Sequence, residues 1–195
     1  MLLAALLISS SLIHHAPPSA DGREKPVATP APAAPTAAQR ARAAVDRLKS
    51  TLLQELQAAI TAKGAAGAVD VCGDVASRIR SEVSAPDLTI GRTSTRLRNP
   101  KNTAPAWVTS QLLELERLPA DKRSPREVAL PGGAFGYVEP LTTQPLCLAC
   151  HGTQLAPDVR AAIADKYPQD QATGFAGGDL RGVVWVEVKH TPPPR

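Results

Sequence analysis

Glu127-Val-Ala-Leu-Pro-Gly-Gly-Ala-Phe-Gly-Tyr-Val-Glu-Pro-Leu141 is the stretch whose reading decides the fold. Two short runs, 127–130 and 135–141, flank Pro131-Gly132-Gly133. Proline presets a turn torsion and glycine supplies the left-handed one, so a β-hairpin is predicted. Residues 88–94 are short and β-like, and Gly182-Val-Val-Trp-Val-Glu-Val-Lys189 is β-branched and suits a last strand. Helical patterns surround these strands. Ala41, Val45, Leu48, Leu52, Leu56 and Ile60 step by three or four along residues 39–63, and Gly64 is a natural stop. Residues 65–83 carry Ala68, Cys72, Val75, Ala76, Ile79 and Val83 on one predicted helical face, which points Cys72 inward, and Pro86 ends the element. A third helix begins near Pro105 with Val108, Leu112, Leu115 and Leu118 on one face, and a short fourth spans 157–166. Helices, a hairpin, a short helix and a closing strand define an α+β fold with an antiparallel sheet in a single domain.

The ends of the chain read differently. An apolar run from Met1 to Ile8, followed by three Ser and Leu12-Ile13, is too short to span a bilayer and fits the core of an export signal, although no Lys or Arg precedes it and the cleavage triplet Pro18-Ser19-Ala20 is poor. Residues 1–20 are therefore expected to be a signal peptide or export segment, with membrane anchoring through the N-terminus if it stays uncleaved. Six of the 19 prolines fall between Ala16 and Ala38, so 21–38 reads as a Pro/Ala-rich linker. The folded part is expected over 39–190, with 191–195 as a disordered tail. The 22 Lys+Arg exceed the 18 Asp+Glu by only four and are spread along the chain. With six aromatics in 195 residues, nucleic acid is not an expected partner.

The chemistry is concentrated in Leu146-Cys147-Leu148-Ala149-Cys150-His151-Gly152. Cys-x-x-Cys-His is the attachment sequence for c-type haem. Two thiols add across two vinyl groups on one porphyrin edge, the next residue brings an imidazole to the iron, and Gly152 lets the backbone approach closely. Three Cys and four His in 195 positions make an accidental match on the order of 0.001. Two competitors stand beside this reading. A thioredoxin-like dithiol would need a strand before it and a helix starting at it, whereas Pro145 precedes and a glycine follows. A zinc site of Cys72, Cys147, Cys150 and His151 would require the adjacent Cys150 and His151 to face one tetrahedral ion.

One covalent haem c would thus be held by Cys147 and Cys150, with His151 as proximal iron ligand. For the opposite face of the iron, Met1 is distant and His14 and His15 lie in the export segment. Cys72 is the first candidate for distal ligand, His190 and water or an open position the others, and a small buried hydrophobe is the ordinary role for such a cysteine. Arg92, Arg96 and Arg98 lie in a basic, turn-rich stretch; they read either as a solvated turn or as partners for haem propionates, which arginine binds with paired hydrogen bonds. Asn99, Pro100 and Asn102 are expected to shape the turn. The aromatic residues Trp107, Trp185, Tyr137, Tyr167, Phe135 and Phe175 are expected in the core or against the haem.

With these residues in view, the chain resembles the c-type haem PAS-like sensor family. The matching stretches are Val69-Asp-Val-Cys72, Gly91-Arg-Thr-Ser94, Arg98-Asn-Pro100-Lys-Asn102 with Trp107, Glu139-Pro-Leu141 leading into the Cys-x-x-Cys-His run, Thr173-Gly-Phe175, Gly178-Asp179 and Arg181-Gly-Val183. The resemblance spans about residues 45–188. It implies a PAS-like antiparallel sheet flanked by helices, Cys147 and Cys150 as attachment points, His151 as proximal ligand and Cys72 as distal ligand. The chain departs from the family in being Ala- and Pro-rich and in carrying no signalling domain, so output is expected to pass to an unknown redox or signalling partner. A His/thiolate iron would have a low potential, and ligand loss on reduction would open a position for a small gas. The expected function is a periplasmic, exported redox- or gas-responsive sensor. The alternative is a periplasmic electron-transfer cytochrome c. Enzymatic activity is less expected, because no spare His sits in the folded middle to serve as an acid or base.

Overall fold

The computed structural model describes residues 34–190, apart from the side chains of Cys72 and Asp74. The expected export segment at 1–20, the linker as far as residue 33 and the tail at 191–195 lie outside the described residues. Helix α1 runs Ala37–Gly67 and begins two residues before the periodicity suggests. The reason is a capping box. Thr36 Oγ1 accepts from the Gln39 amide at 3.2 Å, and Gln39 Oε1 accepts from the Thr36 amide at 2.8 Å. Gly64 interrupts α1 with φ 70°, a torsion that costs glycine little, and this is the stop expected from the sequence.

The single helix expected over 65–83 is corrected. Beyond the Gly64 kink the chain makes a last turn to Gly67, a 3-10 segment Ala68–Cys72, and then helix α2, Asp74–Val83. The break falls at Gly73, where the Tyr167 hydroxyl occupies the space a Cβ would need. Ala68 and Cys72 therefore do not share a continuous helical face with Ile79 and Val83. Strand β1 is Leu88–Thr93, helix α3 Ala106–Arg117, β2 Arg126–Ala129, β3 Phe135–Thr142, α4 Leu148–His151, α5 Pro157–Lys166 and β4 Leu180–Val188.

The four strands form one antiparallel sheet in the order β1-β4-β3-β2, with the predicted hairpin as its β2-β3 edge. Alternation along β4 explains the layers. Val184, Val186 and Val188 join Ala41, Ala44, Val45 and Leu48 of α1, together with Ile79 of α2, in one core. Val183 and Trp185 point to the other face and pack with Val108, Leu112 and Leu115 of α3. Helices thus cover both faces of the α+β sheet. Among the described residues no helix is long and apolar enough to cross a membrane.

Trp185 lies across Gly91, its register partner on β1, and meets Trp107 edge-on at 6.2 Å. A Cβ at Gly91 would sit 2.5 Å from Trp185 Cζ2. Gly91→Ala is therefore expected to cost about 1–3 kcal/mol through forced repacking. Urea unfolding followed by tryptophan fluorescence checks this, and a wild-type midpoint would show that the indole moves aside freely.

Candidate functional site

Strand β3 leads directly into the Cys-x-x-Cys-His run. Thr143, 2% exposed, anchors the exit: its amide donates to Asp179 O at 2.8 Å, and its carbonyl accepts from the Gly178 amide at 3.0 Å. A 3-10 turn, Pro145–Cys147, continues into α4, so residues 145–151 form one short helical stretch. Spacings of three and four put Cys147, Cys150 and His151 on one side of it. All three border the same cavity, about 240 Å³ in volume. Gly152 ends the stretch, and a Cβ there would lie 2.6 Å from Leu148 O, so a larger residue would press on the preceding helical turn.

The opposite wall is apolar. Leu52, Leu56 and Ile60 continue the stripe of α1 beyond the buried Ala41, Val45 and Leu48 and line the cavity. Val71, Leu97, Leu141 and Leu146 complete the apolar lining. The lining also carries four arginines, Arg92, Arg96, Arg98 and Arg181. Arg181 is the extra residue of β4 at a register shift, since Leu141 pairs with Gly182 and Thr142 with Leu180.

His151 is held in a defined state. Its Nδ1 lies 2.6 Å from Ala172 O, a carbonyl that can only accept, so Nδ1 carries the proton and Nε2 keeps its lone pair. Burial, then the charges of Arg181, Arg98 and Arg92, push the ring's pKa down to about 2. The imidazole is neutral across ordinary pH. Phe175, 2% exposed, meets the ring edge-on at 6.3 Å and carries Arg96 over its own face at 3.5 Å and Arg181 at 5.1 Å.

The three arginines named from the sequence all border the cavity but differ in their engagements. Arg96 Nη1 donates to Thr173 O at 2.9 Å. Arg98, 5% exposed, pairs with Asp170 at 3.1 and 3.2 Å and donates to the carbonyls of Cys150 and Ala172 at 2.6 and 3.2 Å. Of its nitrogens only Nη1 is buried without a partner. Asn99 shapes its turn as expected, accepting from the Lys101 amide at 3.0 Å, and also borders the cavity. Cys72 ends the 3-10 segment whose Val71 lines the cavity, but its side chain is outside the described residues. Trp107 and Trp185 sit in the core and not on the cavity wall. Among the described residues no group of three or more His, Cys, Asp or Glu side chains is placed to hold a metal ion.

The sequence reading missed the roles of Arg181, of Asp170 and of the Ala172 carbonyl. Two thiols and a neutral imidazole beside an apolar cleft that also carries arginines suit a flat, largely apolar, anionic group that carries a metal. Fold and site together define an α+β module with an apolar, arginine-lined cleft at its Cys-x-x-Cys-His run. The chain belongs to the Tll0287-like family, whose model matches residues 30–189. Among solved structures, that of the cyanobacterial heme-protein Tll0287 is similar in fold, with a TM-score of 0.53 at 24% identity over 77% of this chain and 97% of that one. Among curated proteins none matches this chain.

Proposed function

We propose that this chain is a haem protein of the exported, c-type kind, in which Cys147 and Cys150 carry one covalent haem and His151 binds its iron. The observation that supports this most directly is the state of His151. A buried neutral imidazole has Nδ1 tied to Ala172 O and borders one cavity with both thiols. Metal-binding histidines are fixed in this way by the partner of their other nitrogen. The apolar walls suit a porphyrin ring, and the lining arginines, including the unpartnered Arg98 Nη1, suit its carboxylates. Cys72 is our candidate for the second axial ligand.

Bound haem would supply an iron that changes charge by one electron and takes up small ligands. The chain's residues then set how it is used. Cys147 and Cys150 would hold the group covalently, His151 would offer its Nε2 lone pair to the iron, and the leucines of α1 would supply apolar contact. We read the module as a PAS-like redox- or gas-responsive sensor of the periplasm that reports to a partner protein. Membrane attachment would come through residues 1–20.

Expression in a host that matures c-type haem tests the reading. Wild type is expected to keep its colour and added mass after denaturation and acid-acetone extraction, and Cys147→Ser with Cys150→Ser to lose both. Colourless denatured wild type would overturn the proposal. Addition of CO to the reduced protein is expected to move the Soret band; an unmoved six-coordinate spectrum would favour an electron carrier instead. Cys72→Ala is expected to abolish a thiolate-type EPR spectrum, and an unchanged spectrum would reject Cys72 as ligand.

A further inference from the structure

We propose that Arg98, steadied by Asp170, is a positioning residue that sets how strongly His151 donates to its metal; this rests on the reading that His151 is an iron ligand. Three separate parts of the chain meet at this guanidinium. It donates to the carbonyl of Cys150, one residue before His151, at 2.6 Å, and to Ala172 O at 3.2 Å. Asp170 binds it through both oxygens at 3.1 and 3.2 Å, and Asp170 Oδ1 also accepts from the Ala172 amide at 2.9 Å. Ala172 is therefore gripped at its amide by Asp170 and at its carbonyl by Arg98. That carbonyl is the acceptor for His151 Nδ1 at 2.6 Å.

Two consequences follow from elementary chemistry. The ring's orientation is set by an acceptor whose residue is held at both its amide and its carbonyl. The acceptor also divides its lone pairs between a cation and the imidazole. A shared carbonyl pulls less on the Nδ1–H proton, so Nε2 donates less strongly than it would opposite an unshared one. The Arg98 charge is offset by Asp170, both side chains being less than a tenth exposed, at 5% and 8%. Lysine could keep the charge but could not reach the two carbonyls and the carboxylate together.

Two substitutions separate this from a merely structural role, because they shift one property in opposite directions. Asp170→Asn leaves the Arg98 charge without its counter-ion and is expected to raise the midpoint potential of the matured protein. Arg98→Lys releases Ala172 O to His151 alone and is expected to lower it. In the full chain from a host without haem maturation, nitrogen-15 NMR of His151 is expected to show a slowly exchanging Nδ1 proton. Asp170→Asn, which loosens the Arg98 grip, should speed that exchange at least tenfold, whereas Arg98→Lys, which leaves the carbonyl to His151 alone, should slow it. Wild-type potentials and wild-type exchange in the folded variants would overturn the proposal. If Asp170→Asn does not fold, Arg98→Lys decides by the same two measurements. A wild type that takes up no haem would sink the functional reading, while ring exchange would still decide whether Arg98 positions His151.

Discussion

Below about pH 6.5 the chain without haem is expected to lose about 1.4 kcal/mol of folding stability for each pH unit of acidification. The cause is His151. Unfolded, its ring takes a proton near its ordinary value of 6.5, whereas folded it is pushed down to about 2 by burial and by Arg181, Arg98 and Arg92. Between those values the unfolded state binds the extra proton, so stability is fully present above 6.5 and falls with pH until about 2. The window from 6.5 to 4.5 isolates the effect, since the shifted carboxyls of Asp70 and Asp87 titrate below 3.8. Urea unfolding at several pH values checks it, with His151→Gln expected to flatten the profile in that window. A flat wild-type profile, or one that Gln leaves unchanged, would mean that the ring protonates in place. The same property serves the proposed function, because a ring that stays neutral keeps its Nε2 lone pair for a metal.

The elements legible in the sequence were those with local causes. Pro131-Gly132-Gly133 marks the hairpin turn by local chemistry, and the periodic apolar residues of α3 need no distant partner to be recognised. The side-by-side placement of Cys147, Cys150 and His151 followed from spacing alone. The break between the 3-10 segment and α2 was hidden because its cause, the Tyr167 hydroxyl against Gly73, lies far along the chain. The periodicity of α1 shows one apolar stripe but not its two tasks: Leu48 packs on the sheet, Leu56 and Ile60 wall the cavity, and Leu52 does both. The partner of His151 left no trace because it is a backbone carbonyl in a stretch without helical or strand periodicity. Arg181 gave no local signal, because its place is set by the register shift between β3 and β4.

Arg98→Met is expected to destabilise the chain by about 3–5 kcal/mol, the usual consequence of leaving a buried charge without its partner. Here Asp170, 8% exposed, is the group left behind, and the carbonyls of Cys150 and Ala172 lose a donor as well. Combining Arg98→Met with Asp170→Asn removes both charges while keeping an oxygen for the Ala172 amide. The double variant is expected to recover about 2 kcal/mol or more of the loss, because burying a charged pair is itself costly. A double-mutant cycle by denaturant unfolding measures the coupling, and strictly additive losses would show that the two side chains do not depend on each other. If stability returns in the double variant while the His151 ring exchanges quickly, the ion pair is not required for folding. Its contribution then lies in holding one carbonyl still beside the imidazole Nδ1, the arrangement on which a well-defined metal ligand depends.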